Sequence, residues 1–345
     1  AQDTVLFPEN RIAQQTTFLF PDQEVARVRG PNRSKHAAAD EEADDLERPD
    51  PAPRAPPPLP ISYETAAPPA TSMRLIGAGL RLYWMRTFPL VGRREVRNTI
   101  WTALRKVRTS GTSRLVLLTG AAGVGKSRII QWVAERAHEV GAATVLKATH
   151  SPITGPADGL PYMLARHLGV AGLKRAEVRR RTRQIHTDLG VTDEYEWDAL
   201  TELITTPYAE KRAVRIRPIE FATPEERYVL VRRYLERIGS ERPVILWLDD
   251  IQWGADALGL VEHVLDAAGD GDTPILFLLT ARDEALAERP LETALTEKLA
   301  QRDETQRVTV TPLARDDRRE LIRELLGLAG DLAVQVEQRT GGNPL

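Results

Sequence analysis

The stretch from Leu115 to Arg128, Leu-Val-Leu-Leu-Thr-Gly-Ala-Ala-Gly-Val-Gly-Lys-Ser-Arg, limits the fold of this chain more than any other. Leu115 to Leu118 are apolar and read as a strand buried in a parallel sheet. Gly120, Ala121, Ala122, Gly123, Val124, Gly125, Lys126 and Ser127 then fit the pattern G-x-x-x-x-G-K-[ST] at every position. Ile129, Ile130, Val133, Ala134 and Ala137 follow at helical spacing. Strand, glycine-rich loop and helix are the context in which backbone N–H groups converge on phosphate oxygens, with the helix N-terminus adding partial positive charge. Lys126 can reach the β- and γ-phosphates as a point charge, Ser127 can place its hydroxyl on Mg²⁺, and Arg128 completes the segment expected to contact the nucleotide. The alternative is a glycine-rich turn in an ordinary βα unit. The Lys-Ser pair and the correct flanks on both sides argue against it.

The 345 residues suffice for about two domains. With 42% hydrophobic and 28% charged residues most of the chain can bury a core, and a net charge of −2 gives no global reason to expect nucleic acid. The absence of cysteine excludes a disulfide framework, a thiolate metal site and a cysteine nucleophile, and suits a reducing cytoplasm. No apolar run approaches the roughly 20 residues of a membrane span, and the first residues of this sequence lack the basic segment followed by an apolar one that marks a signal peptide. Ala1 in place of Met, and an end at Thr340-Gly-Gly-Asn-Pro-Leu345, suggest a piece cut from a longer polypeptide.

Residues 1–72 read as a disordered, acidic and proline-rich linker. Asp40 to Asp50 is an acidic run, and Pro49 to Pro69 carries nine prolines. It serves either as a plain spacer or as a ligand for a proline-binding module. Residues 73–313 read as the core. Its further strands are Ala143–Lys147, Pro243–Asp250, Pro274–Arg282 and, at an edge, Arg307–Leu313, with helical segments between them. The expected fold is α/β: a P-loop NTPase with a five-stranded, mainly parallel sheet flanked by helices. Residues 314–345 read as the start of a helical lid domain. The arginines at 179–181 and 183 suit either a polyanion or a solvated helix face.

A phosphate loop needs an acidic partner at the end of a neighbouring strand to hold Mg²⁺. Asp249 is the candidate, with Asp250 placed to orient or deprotonate the attacking water. The alternative is a strand exit with two solvated aspartates. Arg282, at the end of the next strand, can stabilise charge on a γ-phosphate or report it; otherwise it is a surface arginine paired to Asp283 or Glu284. Lys126, Asp249, Asp250 and Arg282 thus form the catalytic set, and Ser127 and Asp249 the Mg²⁺ set. The six histidines show no metal-binding spacing. His138 and His167 read as structural; His150 follows the second strand, where nearness to the nucleotide is the less favoured of its readings.

Together these segments resemble the STAND-type signalling ATPases within the broader AAA-like P-loop class. The marks are Leu90-Val-Gly-Arg93, the phosphate loop, Leu248-Asp-Asp-Ile-Gln-Trp253, Thr280-Ala-Arg282 and Gly342-Asn-Pro-Leu345. The resemblance covers residues 89–345. It implies that Val91, Gly92 and Arg93 lie against adenine, and that Gly342-Asn343-Pro344 closes over the nucleotide, bringing Pro344 into the site. ATP over GTP rests on the same resemblance. Arg94 stands where an acidic residue usually follows Gly-Arg, with Glu95 next. Within the class, Gly77-Ala-Gly-Leu-Arg-Leu-Tyr83 and Pro89-Leu-Val-Gly-Arg93 resemble the ATPase region attached to large bacterial serine/threonine protein kinases. No kinase catalytic motif is present, so such a domain would precede Ala1.

Four functions follow as expectations. The first is an ATP- and Mg²⁺-dependent signalling switch, with linked effector or kinase domains and possible ATP-dependent self-association. The second is the regulatory region of a kinase. The third is the ATPase module of a DNA-binding regulator or origin-recognition-like protein, although no DNA-binding motif is evident. The fourth is a binding scaffold, in which paired carboxylates have little role.

Overall fold

The computed structural model describes residues 62–63, 90–205, 219–267, 273–328, 330–341 and 343–344. Outside them lie the linker apart from Ser62 and Tyr63, the 77–83 and Pro89 elements of the resemblance, Gly342 and Leu345. So does the boundary drawn at residue 72.

Five apolar segments become strands: β1 Arg114–Thr119, β2 Thr144–Thr149, β3 Val244–Asp249, β4 Ile275–Thr280 and β5 Thr305–Thr309. They form one parallel sheet in the order β2-β3-β4-β1-β5. Every residue of β3 and β4 is buried, as strands covered on both faces require, whereas the edge strand β5 is largely exposed. The alternation of side chains divides the apolar runs between two cores. Leu117, Leu246 and Phe277 face one; Val116, Ile245 and Leu278 face the other.

The second core is closed by α1 Arg94–Ser110 and α2 Lys126–Glu139. The first takes α3 Gly159–His167, α4 Arg175–Asp188, α5 Glu194–Ile204 and α6 Pro224–Gly239, all inserted between β2 and β3. It also takes α7 Ala255–Asp266, α8 Asp283–Ala287 and α9 Pro290–Ala300. α10 Arg315–Leu326 and α11 Asp331–Thr340 follow β5. These last helices belong to the same compact unit as the sheet.

Two expectations change. The strand carrying Asp249 is not the neighbour of β1, because β4 lies between them. Both β3 and β4 are wholly apolar until their last residues, so both take interior places. β5 begins and ends earlier than Arg307–Leu313: it pairs only with β1, and its ladder runs from Thr305 to Thr309. Pro312, without an N–H, cannot extend it. The arginines of α4 are ion-paired in part, and Arg180, Arg181 and Arg183 are exposed. Arg175 meets Glu202 at 2.8 Å, Arg179 meets Asp198, and Arg183 lies over Trp197. No described helix is long and apolar enough to cross a membrane.

His186 is fully buried in this helical layer and stacks on Tyr234, while His167 meets Tyr234 edge-on. His186 Nδ1 lies 2.9 Å from the Thr182 carbonyl oxygen, a contact that needs a hydrogen on Nδ1. Burial pushes the imidazole below its ordinary pKa, so the folded chain holds its second proton more weakly than the unfolded chain does.

The core contribution can be checked at Phe277. Phe277→Ala should cost about 3–5 kcal/mol in urea unfolding. For His186 the depressed folded pKa gives stability that is complete above the unfolded value of about 6.5 and declines as pH falls below it. Burial depresses His150, His167 and His263 in the same direction. Urea midpoints at neutral and mildly acidic pH should therefore converge in His186→Asn relative to the parent, because Asn keeps an N–H donor without the titration.

Candidate functional site

Three chain segments meet at the C-terminal end of the sheet: the loop after β1, the end of β3 and the end of β4. The first is shaped by glycine. Gly120 has φ 143°, and a Cβ there would overlap the Val310 carbonyl oxygen beside it. Gly123 has φ 81°, and its missing Cβ leaves the space taken by the Asn343 side-chain amide. Ala121 and Ala122 are exposed and Val124 is buried beneath the loop.

α2 starts directly after Gly125, which places Lys126 and Ser127 in its first turn. Lys126 is buried, and its Nζ donates to the Gly120 and Ala121 carbonyl oxygens, each at 2.8 Å. Burial lowers its pKa, and the nearby Asp250 charge partly opposes the shift. Arg128 makes an ion pair along α2 with Glu135 at 3.8 Å.

Asp249, the last residue of β3, is 7% exposed. Its Oδ1 accepts from the Ser127 hydroxyl at 2.7 Å and from the Thr280 hydroxyl at 2.7 Å, while Lys147 Nζ lies 3.5 Å from Oδ2. Lys147 also sits over the Trp247 ring at 3.6 Å. Thr280, at the end of the intervening β4, thus adds a second donor to the oxygen that Ser127 reaches. A hydroxyl and a carboxylate at one point, both hard oxygen donors, fit Mg²⁺ in a site that substrate phosphates complete. Among the described residues no group of three or more His, Cys, Asp or Glu could hold a metal without such help.

Asp250 leaves the strand in the left-handed region, φ 57° and ψ 52°, a conformation that costs a non-glycine residue about 1–2 kcal/mol. Its backbone N–H donates to Thr280 Oγ1 at 2.9 Å. Its carboxylate accepts a bidentate pair from Arg282, Nε at 3.1 Å and Nη2 at 2.6 Å, and a further bond from Gln252 at 3.2 Å. Arg282 therefore pairs with Asp250 across the site, the charge-assisted fork geometry that arginine favours. Gln252 Oε1 also accepts the Arg282 backbone N–H at 3.2 Å.

Val91 is buried, and the space beyond the α-carbon of Gly92 is filled by the Asp317 carboxylate of α10. Arg93, at φ 59°, donates from Nη2 to the Val124 carbonyl at 3.2 Å and to the Thr311 carbonyl at 2.5 Å. Burial lowers its pKa, opposed by Asp317. From the C-terminal segment, Asn343 Nδ2 donates to the Ala122 carbonyl at 3.1 Å, and Pro344 lies next to Gly125.

Lys126, Ser127, Asp249, Asp250 and Arg282 thus meet at one end of the sheet, and Arg93 and Pro344 reach the loop, while among the described residues Val91 and Gly92 show no contact with it and Arg128 is engaged along its own helix. Sequence reasoning left out Thr280, Gln252, Lys147 and Asn343 as site residues. A threonine ending the otherwise apolar run Ile275–Thr280 was the available signal, because a buried hydroxyl there needs a partner. His150 meets the main chain of Asp249, its Nδ1 2.9 Å from the Asp249 carbonyl oxygen.

Residues 89–278, more than half of the chain, match the family described as the AAA ATPase domain. A comparison with curated proteins finds no match. Among solved structures the chain is similar to a Walker-type ATPase of Pyrococcus abyssi, at 15% identity and TM-score 0.37, covering 74% of this chain and 65% of that one. It is similar to the ORC1 protein of Aeropyrum pernix in complex with DNA, at 14% identity and TM-score 0.40, covering 75% and 58%. It is also similar to domain III of the replication initiation protein DnaA of Thermotoga maritima, at 13% identity and TM-score 0.36, covering 77% and 84%. The chain spans under two thirds of the first two structures.

Thr280 is the residue whose removal isolates the bridge. Thr280→Val keeps the shape but leaves the Asp250 N–H unpaired and removes one donor to Asp249. It should cost about 1–3 kcal/mol in chemical denaturation. Thr280→Ser, which restores the hydroxyl, should recover most of that loss.

Proposed function

Because this chain belongs to the AAA ATPase family, we propose that it is an ATP-binding and ATP-hydrolysing switch module. The observation that carries the reading is the convergence of Lys126 and Ser127, Asp249 and Asp250, and Thr280 and Arg282 at one end of the sheet. In this reading the loop from Gly120 to Gly125 and the first turn of α2 bind the phosphates, and Lys126 neutralises their charge. Ser127 and Asp249 hold Mg²⁺, which when bound supplies a counter-charge to the phosphates. Val91, Gly92, Arg93 and Pro344 take the nucleoside side, as the family resemblance implies.

Asp250 is the base. It accepts a proton from water as the water oxygen bonds to the γ-phosphorus and the bond to the ADP oxygen breaks. Its pairing with Arg282 makes the site a switch. A terminal phosphate competes with the Asp250 carboxylate for the guanidinium, so binding draws Arg282 away and frees Asp250 for the water. Hydrolysis removes that competitor and restores the pair. Attachment to effector or kinase domains rests on the resemblance of residues 77–83 and 89–93 and of the proline-rich linker before them.

The two halves of the reading separate by mutation. Lys126→Ala should weaken ATP binding about tenfold or more by calorimetry, and unaltered affinity would remove the phosphate site. Asp250→Asn should retain ATP binding while phosphate release falls about 10²–10⁴-fold. Turnover at the parent rate would exclude Asp250 as the base.

A further inference from the structure

Tyr63 comes from the proline-rich region, yet it is 2% exposed. Its ring sits edge-on to Trp101 of α1, with centroids 5.8 Å apart at 81°, and edge-on to Trp132 of α2, at 5.0 Å and 88°. The Arg97 guanidinium lies over both the Tyr63 and Trp132 rings, at 5.4 and 4.7 Å. The phenol donates to Asn98 Oδ1 at 3.1 Å. The Tyr63 carbonyl oxygen accepts from Arg136 Nε of α2 at 3.1 Å.

This cage reads two things at once. Rings and guanidinium enclose an aromatic side chain, Asn98 selects one that bears a hydroxyl, and Arg136 holds the main chain of the segment delivering it. Pro56-Pro-Pro-Leu-Pro60 lies just upstream in the sequence. Proline restricts a chain before it docks and so reduces the entropy lost on binding.

We propose that the groove between α1 and α2 is a peptide-recognition site for a tyrosine-bearing segment, and that Ser62–Tyr63 is its ligand in cis. The inference goes beyond the nucleotide reading and stands without it. Tethering gives the cis segment an effective concentration of order millimolar, so a free peptide meets a site already filled. Removing Tyr63 opens the cage to the same segment supplied in trans.

The test uses the full chain and a fluorescein-labelled peptide of residues 56–68, read by anisotropy. The Tyr63→Ala chain should bind the peptide about tenfold more tightly than the parent chain. A peptide with Ala in place of Tyr63 should not bind, and adding Trp132→Ala to the Tyr63→Ala chain should abolish binding. Equal affinity for parent and variant, or no binding to a Tyr63→Ala chain with parental circular dichroism, would overturn the proposal. Should that chain not fold, hydrogen exchange on the parent chain decides. Millimolar peptide should speed exchange in the chain's own segment around Tyr63, and unchanged exchange would overturn the proposal.

Discussion

One oxygen atom joins the three parts of the site. Asp249 Oδ1 accepts from Ser127 on α2 and from Thr280 on β4, each at 2.7 Å. A carboxylate at 7% exposure is costly unless donors and cations surround it. The two hydroxyls and Lys147 meet that need, and in doing so they fix where the phosphate loop, β3 and β4 end relative to one another. The same hydroxyl of Thr280 accepts the Asp250 N–H, so the turn that carries the second carboxylate depends on the bond that holds the first.

That dependence explains why strand order matters here. With β4 between β1 and β3, the Ser127 hydroxyl meets the Asp249 carboxylate across the end of β4, and a short polar side chain at that end can add a second donor to the same oxygen. Thr280 is both short and polar, and its backbone remains fully buried in the sheet. Arg282, two residues on, reaches back to Asp250 from the same strand end.

The loop, the helix after it and the apolar strands were legible because each is written locally: glycines where φ is positive, a lysine and serine at the first helical turn, unbroken aliphatic runs for buried strands. The order of those strands was not, because β3 and β4 are equally apolar and local pattern does not choose between interior places. Nor was the partner of Arg282. Asp283 and Glu284 are nearer in sequence, but they enter the first turn of α8, while Asp250 is turned toward the arginine by its left-handed backbone. Tyr63 was hidden for a different reason. A lone aromatic in a proline-rich stretch carries no period, and its cage is assembled from two helices distant in sequence.

The same logic of satisfied carbonyls extends to the phosphate loop. Because the peptide unit is planar, anchoring a carbonyl oxygen on one side directs the next N–H to the other. Asn343 holds the Ala122 carbonyl and so orients the Gly123 N–H; Arg93 holds the Val124 carbonyl and so orients the Gly125 N–H. Both anchors come from outside the sheet, one preceding α1 and one following α11. The Gly120 and Ala121 carbonyls are held differently, by Lys126 itself. In the proposed reading a phosphate competes with these two carbonyls for the lysine, whereas the contacts of Arg93 and Asn343 need not break. The loop therefore has one half held by the two flanking segments and another held by its own lysine, and in the proposed reading only the second changes its hydrogen bonds with the charge it receives.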